Sequence, residues 1–288
     1  MIITGANCFV LLRNKKLLKQ NYAYVFIAFT AIGNLLQLSA HFISGFYIIF
    51  SISPPLHFVM LQGSILNFGF DVTCILTLAL SFNRLFLFFN FHGVLYIILK
   101  KLTITIIAML CLVAIFYLII PNFDFFKIVF NVKNGVWEYY TVKENFNRFN
   151  FLEGRLMVSV NLASVLILVL IACKIVYQKL TTESYNNSKK IKFYDISLFL
   201  QALFNFLCIG FVQVFWQFGD VWFPNSTYLY TYLNYLWLNV AGRDSVFNLL
   251  LLREVRLPIL VILKYYKTSA KVVQPQTTTR NMKNNVIS

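Results

Sequence analysis

The chain has 288 residues, of which 59% are hydrophobic and 12% are charged, and its formal net charge is +15. Soluble domains carry about 25% charged residues, so one water-surrounded core would leave large apolar patches exposed. The composition therefore favours a helical membrane bundle. The basic residues stand in short stretches between apolar runs, which indicates contact with an anionic bilayer surface and excludes a nucleic-acid partner.

Six apolar segments are long enough to cross a bilayer, because a spanning helix needs about 20 mostly apolar residues. They are residues 22–49, 58–83, 102–120, 156–177, 196–218 and 228–252. Residues 1–12 form a partial span, and the basic run at 13–19 follows it. This order predicts the cytoplasmic end of a first helix that is truncated at its N-terminus, since a signal peptide would carry its charges first.

The connections add one further element and a tail. The longest outer connection, 121–155, contains turn residues followed by a β-prone aromatic stretch, so we expect a short hairpin over the mouth of the bundle. The sequence thus predicts one membrane domain over 1–256. Residues 257–288 form a cytoplasmic tail that we expect to be partly disordered, since its part beyond about 267 is polar and basic.

The distribution of lysine and arginine predicts the orientation of the bundle. With residues 13–19 inside, nineteen of the 25 basic residues fall in inner regions, five fall in outer regions, and Arg243 lies within a span. The C-terminus is therefore expected in the cytoplasm. The sequon at Asn225 then lies in an outer loop and is a glycosylation candidate.

Catalytic and metal-binding patterns are absent from the sequence. The chain contains no HExxH, GxSxG, GxGxxG or P-loop stretch, and no carboxylate pair is spaced for acid–base work. The cysteines lie inside apolar runs without zinc-site spacing. The sequence therefore predicts no enzyme, no cofactor and no metal.

Four charged residues inside the apolar spans are the better candidates for function, because each costs about 2.5–3.5 kcal/mol in the bilayer. Asp71 lies near mid-membrane, either as a buried acid bonded to a neighbouring helix or as a ligand-side group. Arg84 lies at the inner end of the same span, where it could snorkel to the headgroups. Arg243 and Asp244 are neighbours in the last span and point about 100° apart on a helix, so they need not pair.

Several stretches together resemble one family, the nematode serpentine chemoreceptors of the srx class. In order, they are AIGN at 31–34, the acid Asp71, LSFNRLFLFF at 80–89, and the pattern W…D…REVR from Trp237 to Arg256. The third helix of that family carries an acid and, thirteen residues later, the arginine of an S-L-N-R-F motif, which Asp71 and Asn83-Arg84 resemble in spacing.

The last span resembles the family's seventh-helix signature, H-A-x-D-G…F-N-x-E-x-R. Asp244, Glu254 and Arg256 stand at matching positions. The chain departs from the signature at Ala241, Ser245 and Leu252, and Arg243 replaces an apolar residue.

The resemblance implies an all-α membrane protein, a rhodopsin-like seven-transmembrane G-protein-coupled receptor of the plasma membrane, which could include sensory cilia. It would bind an extracellular small molecule and activate a heterotrimeric G protein. The implied coupling and switch residues are Asn83, Arg84, Asp244, Glu254 and Arg256. Asp71 and Arg243 would be ligand-side or buried polar groups.

Two other functions stay open at this level. In a transporter or channel, Asp71, Arg243 and Asp244 would line a path, although the sequence lacks the internal repeats and broken helices typical of such folds. In a non-signalling, truncated receptor remnant, the protein would be retained in the endoplasmic reticulum.

Overall fold

The computed structural model describes residues 1–20, 22–89, 91, 93–119, 126–141, 144–182, 193–224, 226, 228–252 and 255–258. This part of the chain forms eight α-helices and two β-strands. The helices are α1 (Ile2–Arg13), α2 (Lys15–Gln20), α3 (Tyr22–Ile49), α4 (Leu56–Phe89), α5 (Gly93–Ile119), α6 (Glu144–Thr182), α7 (Phe193–Trp222) and α8 (Leu229–Leu251). The short α2 joins α1 to α3, and the other seven helices form the bundle.

Five helices of the described part are long and apolar enough to cross a membrane. They are the segments Ala23–Ile49, Leu56–Phe86, Gly93–Ile119, Phe151–Tyr177 and Ala202–Gly219. Helix α1 is apolar but shorter. Helix α8 has 23 residues, and it does not reach the same apolarity because it buries polar side chains such as Asn234, Asp244 and Asn248.

The helices extend beyond the boundaries that the sequence predicts. Helix α5 begins at Gly93 and not near 102, so Lys100 and Lys101 are helical. Helix α6 begins at Glu144, so the last part of the predicted loop 121–155 is helix. The 39 residues of α6 extend about 58 Å at 1.5 Å per residue, well beyond a hydrocarbon core of about 30 Å. Hydropathy reports only the apolar part of a helix, whereas helical hydrogen bonding continues into the polar region.

The expected hairpin is present and closes one end of the bundle. Strands β1 (Phe126–Asn131) and β2 (Val136–Thr141) pair antiparallel, with Phe130 opposite Trp137. Gly135 takes a positive φ of 66°, which a glycine adopts without strain, and its N–H donates to the Asn131 carbonyl at 2.8 Å. Because Ile128, Phe130 and Trp137 belong to the main hydrophobic core, the hairpin is part of the packed fold. We call this side of the bundle the hairpin end and the opposite side the far end.

Helices α3 and α4 approach each other most closely at two facing glycines. A Cβ atom added to Gly33 would lie 2.9 Å from the Gly69 carbonyl oxygen, and one added to Gly69 would lie 2.7 Å from the Gly33 carbonyl oxygen. Small residues allow such close contact between membrane helices. This contact brings the polar side chains of the two helices within hydrogen-bonding reach.

Candidate functional site

A cavity of about 650 Å³ opens below the hairpin, between α4, α6, α7 and α8. This hairpin-end cavity is lined by a set of mainly aromatic, acidic and amide side chains, including Asn67, Phe70, Asp71, Ile128, Trp137, Tyr139, Glu153, Met157, Val212, Gln213, Trp216, Gln217 and Trp237. That volume includes space that is open to solvent.

Tryptophan and phenylalanine rings form one wall of the hairpin-end cavity. The Trp237 ring contacts Phe70 edge to face at 5.2 Å between centroids, and it contacts Trp216 in the same way at 5.7 Å. Trp137 of the hairpin is 2% exposed and packs against Phe130. Rings in this arrangement present flat, apolar faces to whatever enters the cavity.

Two carboxylates meet in the lining of the same cavity. Asp71 of α4 is 1% exposed and Glu153 of α6 is 3% exposed, and their side chains interact directly. The spacing of acids in the sequence does not show this pair, because the two residues lie on different helices. Hydropathy placed Glu153 in an outer loop, whereas the structure places it in α6 and inside the bundle.

The two acids differ in their hydrogen bonds. Glu153 accepts a hydrogen bond from the Asn67 amide. The Tyr139 hydroxyl lies 3.0 Å from the Asn67 side-chain oxygen and 3.5 Å from a Glu153 carboxylate oxygen. The Asp71 carboxyl contacts the Glu153 carboxyl, and its oxygens accept no hydrogen bond from any other group in the described part of the chain. The indole N–H of Trp137, which is also buried, has no hydrogen-bond partner within that part.

Tyr139 joins the hairpin to this acidic group as a neutral donor. Burial and, to a lesser degree, the nearby Glu153 and Asp71 carboxylates raise the pKa of Tyr139 well above its ordinary value. The phenol therefore keeps its proton over the physiological range. The hairpin is held to α4 and α6 through that hydroxyl.

A second cavity of about 500 Å³ lies toward the far end, between α3, α4, α7 and α8. It is lined by apolar groups and by a set of polar and charged side chains, namely Thr30, Asn34, Thr77, Ser81, Arg84, Asn205, Asp244, Ser245 and Asn248. Arg84 is only 8% exposed. It therefore does not snorkel to the headgroups, as its position in the sequence allowed, but faces this far-end cavity.

Asp244 is the centre of a hydrogen-bonded group in the far-end cavity. Its carboxylate accepts hydrogen bonds from the amides of Asn34, at 3.3 Å, and of Asn205. Arg243 turns the other way on α8, donates to the Asn205 oxygen at 3.1 Å, and stacks over the Phe204 ring at 4.9 Å. The two neighbouring charges are thus bridged by one asparagine.

A row of buried hydrogen bonds connects the two cavities. The indole N–H of Trp237, which lines the hairpin-end cavity, donates to the Gln37 oxygen at 2.7 Å. The Gln37 amide donates to the Asn34 oxygen at 3.3 Å, and Asn34 donates to Asp244. Trp237 and Asp244 are seven positions apart on α8 and so lie on one face of it, two turns apart. We call this row the polar relay.

The remaining predicted residues are less central. Asn83 is half-buried and lines neither cavity, and its amide nitrogen has no hydrogen-bond partner in the described part of the chain. Arg256 is exposed and donates to the Leu250 carbonyl at 3.2 Å. Glu254 and Asn225 lie outside the described residues.

Reasoning from the sequence missed Glu153, Gln37 and the role of Trp237. Two signals were available for them. Asn34 and Gln37 stand at i and i+3 in an apolar helix, a spacing that puts both on one face. Glu153 stands among apolar residues in the stretch FLEGRLMV, which is unusual for a solvated loop.

Comparisons with known proteins agree with this geometry. Residues 4–251 match the sequence profile of a family described as "Serpentine type 7TM GPCR chemoreceptor Srx". No curated protein matches the chain by sequence.

A solved structure with a similar fold is squid rhodopsin. The two chains are 12% identical, the TM-score is 0.61, and the match covers 92% of this chain and 77% of the rhodopsin chain. This similarity shows the fold, a rhodopsin-like bundle of seven helices in a multi-pass membrane protein. The sequence match over 4–251 identifies the family, and the chain belongs to the Srx serpentine seven-transmembrane G-protein-coupled chemoreceptors.

Proposed function

We propose that the chain is a plasma-membrane chemosensory receptor that binds an extracellular small molecule in the hairpin-end cavity and activates a heterotrimeric G protein at the far end. The observation that carries the proposal is the polar relay. It gives the ligand side and the Arg84 side of the bundle one shared set of buried hydrogen bonds.

The orientation of the proposed receptor follows from its basic residues. Nineteen of the 25 lysines and arginines fall on the side that holds residues 13–19 and the C-terminal tail. Cytoplasmic regions carry such an excess. The hairpin end is then extracellular, the far end and the C-terminus are cytoplasmic, and a sensory membrane such as a cilium would present the hairpin end to the environment.

The relay offers a physical route from ligand to G protein. A ligand against the Trp237 ring changes the orientation of the indole N–H, and Gln37 must then find another donor. Because Gln37, Asn34 and Asp244 are all buried, a broken bond here costs about 1–3 kcal/mol unless the group rearranges as a unit. A ligand that binds one arrangement more tightly shifts the population toward it.

Arg84 is the proposed contact for the G protein. In the described arrangement its side chain is buried and faces the same cavity as Asp244. A movement of α7 or α8 that opens the far-end cavity would expose Arg84 to the cytoplasm. Asn83, Glu254 and Arg256 belong to the same proposed coupling region because of their places in the family's motifs.

The test is an Arg84→Ala substitution in the full chain. Cells that express the chain are exposed to a diverse small-molecule library, and G-protein activation is followed by resonance energy transfer between G-protein subunits. Arg84→Ala should reach the cell surface and lose most of the response. Arg155→Ala is the matched control, because Arg155 is an exposed arginine at the hairpin end that stacks on Phe151 at 4.4 Å.

Two results would contradict the proposal. An Arg84→Ala receptor that reaches the surface and signals as the unmodified chain does would remove Arg84 from the coupling role. A ligand-driven current in cells without G protein would favour a channel or transporter, with Asp71, Arg243 and Asp244 along its path.

A further inference from the structure

We propose that the ligand class of the hairpin-end cavity is a protonated amine carried on a flat apolar or aromatic body, an inference that rests on the proposed ligand site. The juxtaposition that carries it is a pair of buried carboxylates and a group of tryptophan rings in the lining of one cavity.

The charge of the cavity lining has one sign. Asp71, Glu153 and, at the rim, Glu138 line it, and no lysine, arginine or histidine of the described part does. Two adjacent carboxylates away from water repel each other, and a cation between them removes the repulsion. The lining therefore attracts positive charge and rejects anions.

Unused hydrogen-bonding groups point to an occupant. Both carboxylate oxygens of Asp71 are buried, and apart from their contact with the Glu153 carboxyl they accept no hydrogen bond from the described part of the chain. An ammonium group has three donors and no acceptor, which suits these oxygens. The buried Trp137 N–H, also without a partner, suits an acceptor atom elsewhere on the same molecule.

The aromatic wall favours an organic cation over a metal ion. No group of three or more histidine, cysteine, aspartate or glutamate side chains in the described residues could hold a metal. Trp216, Trp237 and Phe70 instead offer ring faces and edges, which bind flat apolar bodies and stabilise a nearby ammonium by cation–π attraction.

The experiment uses three probes that differ only in the group at the end of the same two-carbon side chain on indole. They are tryptamine, which is cationic, tryptophol, which is neutral, and indole-3-propionate, which is anionic. Their binding to the purified full chain in lipid nanodiscs is measured by calorimetry. Since a hydrogen bond to a charged group is stronger than a neutral one, tryptamine should bind at least about tenfold more tightly than tryptophol, and indole-3-propionate most weakly.

Single substitutions test which side chain produces the preference for tryptamine. Asp71→Asn should remove most of the preference for tryptamine over tryptophol, and Glu153→Gln should reduce it. Lys133→Gln is the control and should keep it, because Lys133 is an exposed residue of the hairpin turn that does not line the cavity, and its charge is screened by solvent. The comparison of the three probes on the unmodified chain does not depend on any variant folding.

The inference is overturned if tryptophol or indole-3-propionate binds as tightly as tryptamine, or if none of the three binds at millimolar concentration. It is also overturned if Lys133→Gln abolishes the preference and Asp71→Asn does not. Because calorimetry needs no G protein, an amine preference without coupling would contradict the proposed function alone. Coupling to a neutral ligand would contradict this inference alone.

Discussion

Replacement of Gly69 by alanine tests the contact that holds α3 and α4 together beside the polar relay. An alanine Cβ would lie 2.7 Å from the Gly33 carbonyl oxygen and 3.0 Å from Cγ of Gln37. Ordinary contact begins at 3.4 Å, so the helices must separate locally by about 0.7 Å. The Gln37 amide is already 3.3 Å from Thr73 Oγ1, and that added distance would break their hydrogen bond.

The expected cost combines two opposing effects. Overpacking of a close-packed interface costs about 1–3 kcal/mol. Alanine is a better helix former than glycine by about 0.5–1 kcal/mol, which acts in the other direction. Because the obstructing atom is a backbone oxygen that cannot move independently, we expect a net loss of roughly 1–2 kcal/mol.

The assay is thermal unfolding of the full chain in nanodiscs, with Gly210→Ala as the control. Gly210 lies inside α7, and an added Cβ would meet nothing within 4 Å, so only the helix-forming effect remains and the melting temperature should stay the same or rise. Gly69→Ala should lower it. If Gly69→Ala is as stable as Gly210→Ala, then α3 and α4 are not in the close contact described here.

Three further predictions address the relay and the cavity. Gln37→Leu leaves the Trp237 N–H buried without its acceptor and should lower the free energy of unfolding by about 1–3 kcal/mol. In a double-mutant cycle with Trp237→Phe, the double variant should lose less stability than the sum of the two single variants. Losses that add strictly would contradict the hydrogen bond. Gly154→Ala would place a Cβ in collision with Gln217 Nε2 at the cavity wall, so the flexible Gln217 side chain must move. Tryptamine affinity should then fall, while the free energy of unfolding changes by no more than about 0.5 kcal/mol. Tyr139 has a folded-state pKa above its ordinary value of about 10, so the stability that its neutral form contributes is present below pH 10 and is lost as pH rises further. Tyr139→Phe should unfold with a smaller alkaline loss, as followed by circular dichroism, and an unchanged alkaline loss would contradict this assignment.

The sequence predicted the class of fold because hydropathy is a local property. Long apolar runs must be helices in a bilayer, where every backbone group needs a partner within its own segment. The prediction of a rhodopsin-like seven-helix bundle is confirmed by the squid rhodopsin similarity and the family match. The positions of Asp71 and Arg84 at different depths of one helix also follow from their spacing alone. In the structure the two side chains line different cavities.

The contacts between helices could not be obtained in this way. Trp237 and Gln37 are 200 positions apart, and their bond depends on how α3 and α8 rotate about their axes. Asp71 and Glu153 meet because α6 is already helical before residue 156, where the sequence predicts that its span begins. The rotation of a helix about its axis and the length by which it extends beyond its predicted span depend on side-chain packing between helices. The hydropathy of a single segment does not report that packing.

The polar character of α8 has a consequence for how the protein enters the membrane. Five helices could partition into lipid on their own apolarity, whereas α8 buries Asn234, Asp244 and Asn248 and does not reach that threshold. Transfer of these groups into bare lipid is costly. In the folded bundle Gln37 and Asn34 of α3 and Asn205 of α7 bond to Trp237 and Asp244 of α8, so we expect stable insertion of α8 to depend on assembly with α3 and α7. A defect in the relay would then be recognised during biosynthesis, before any ligand is met.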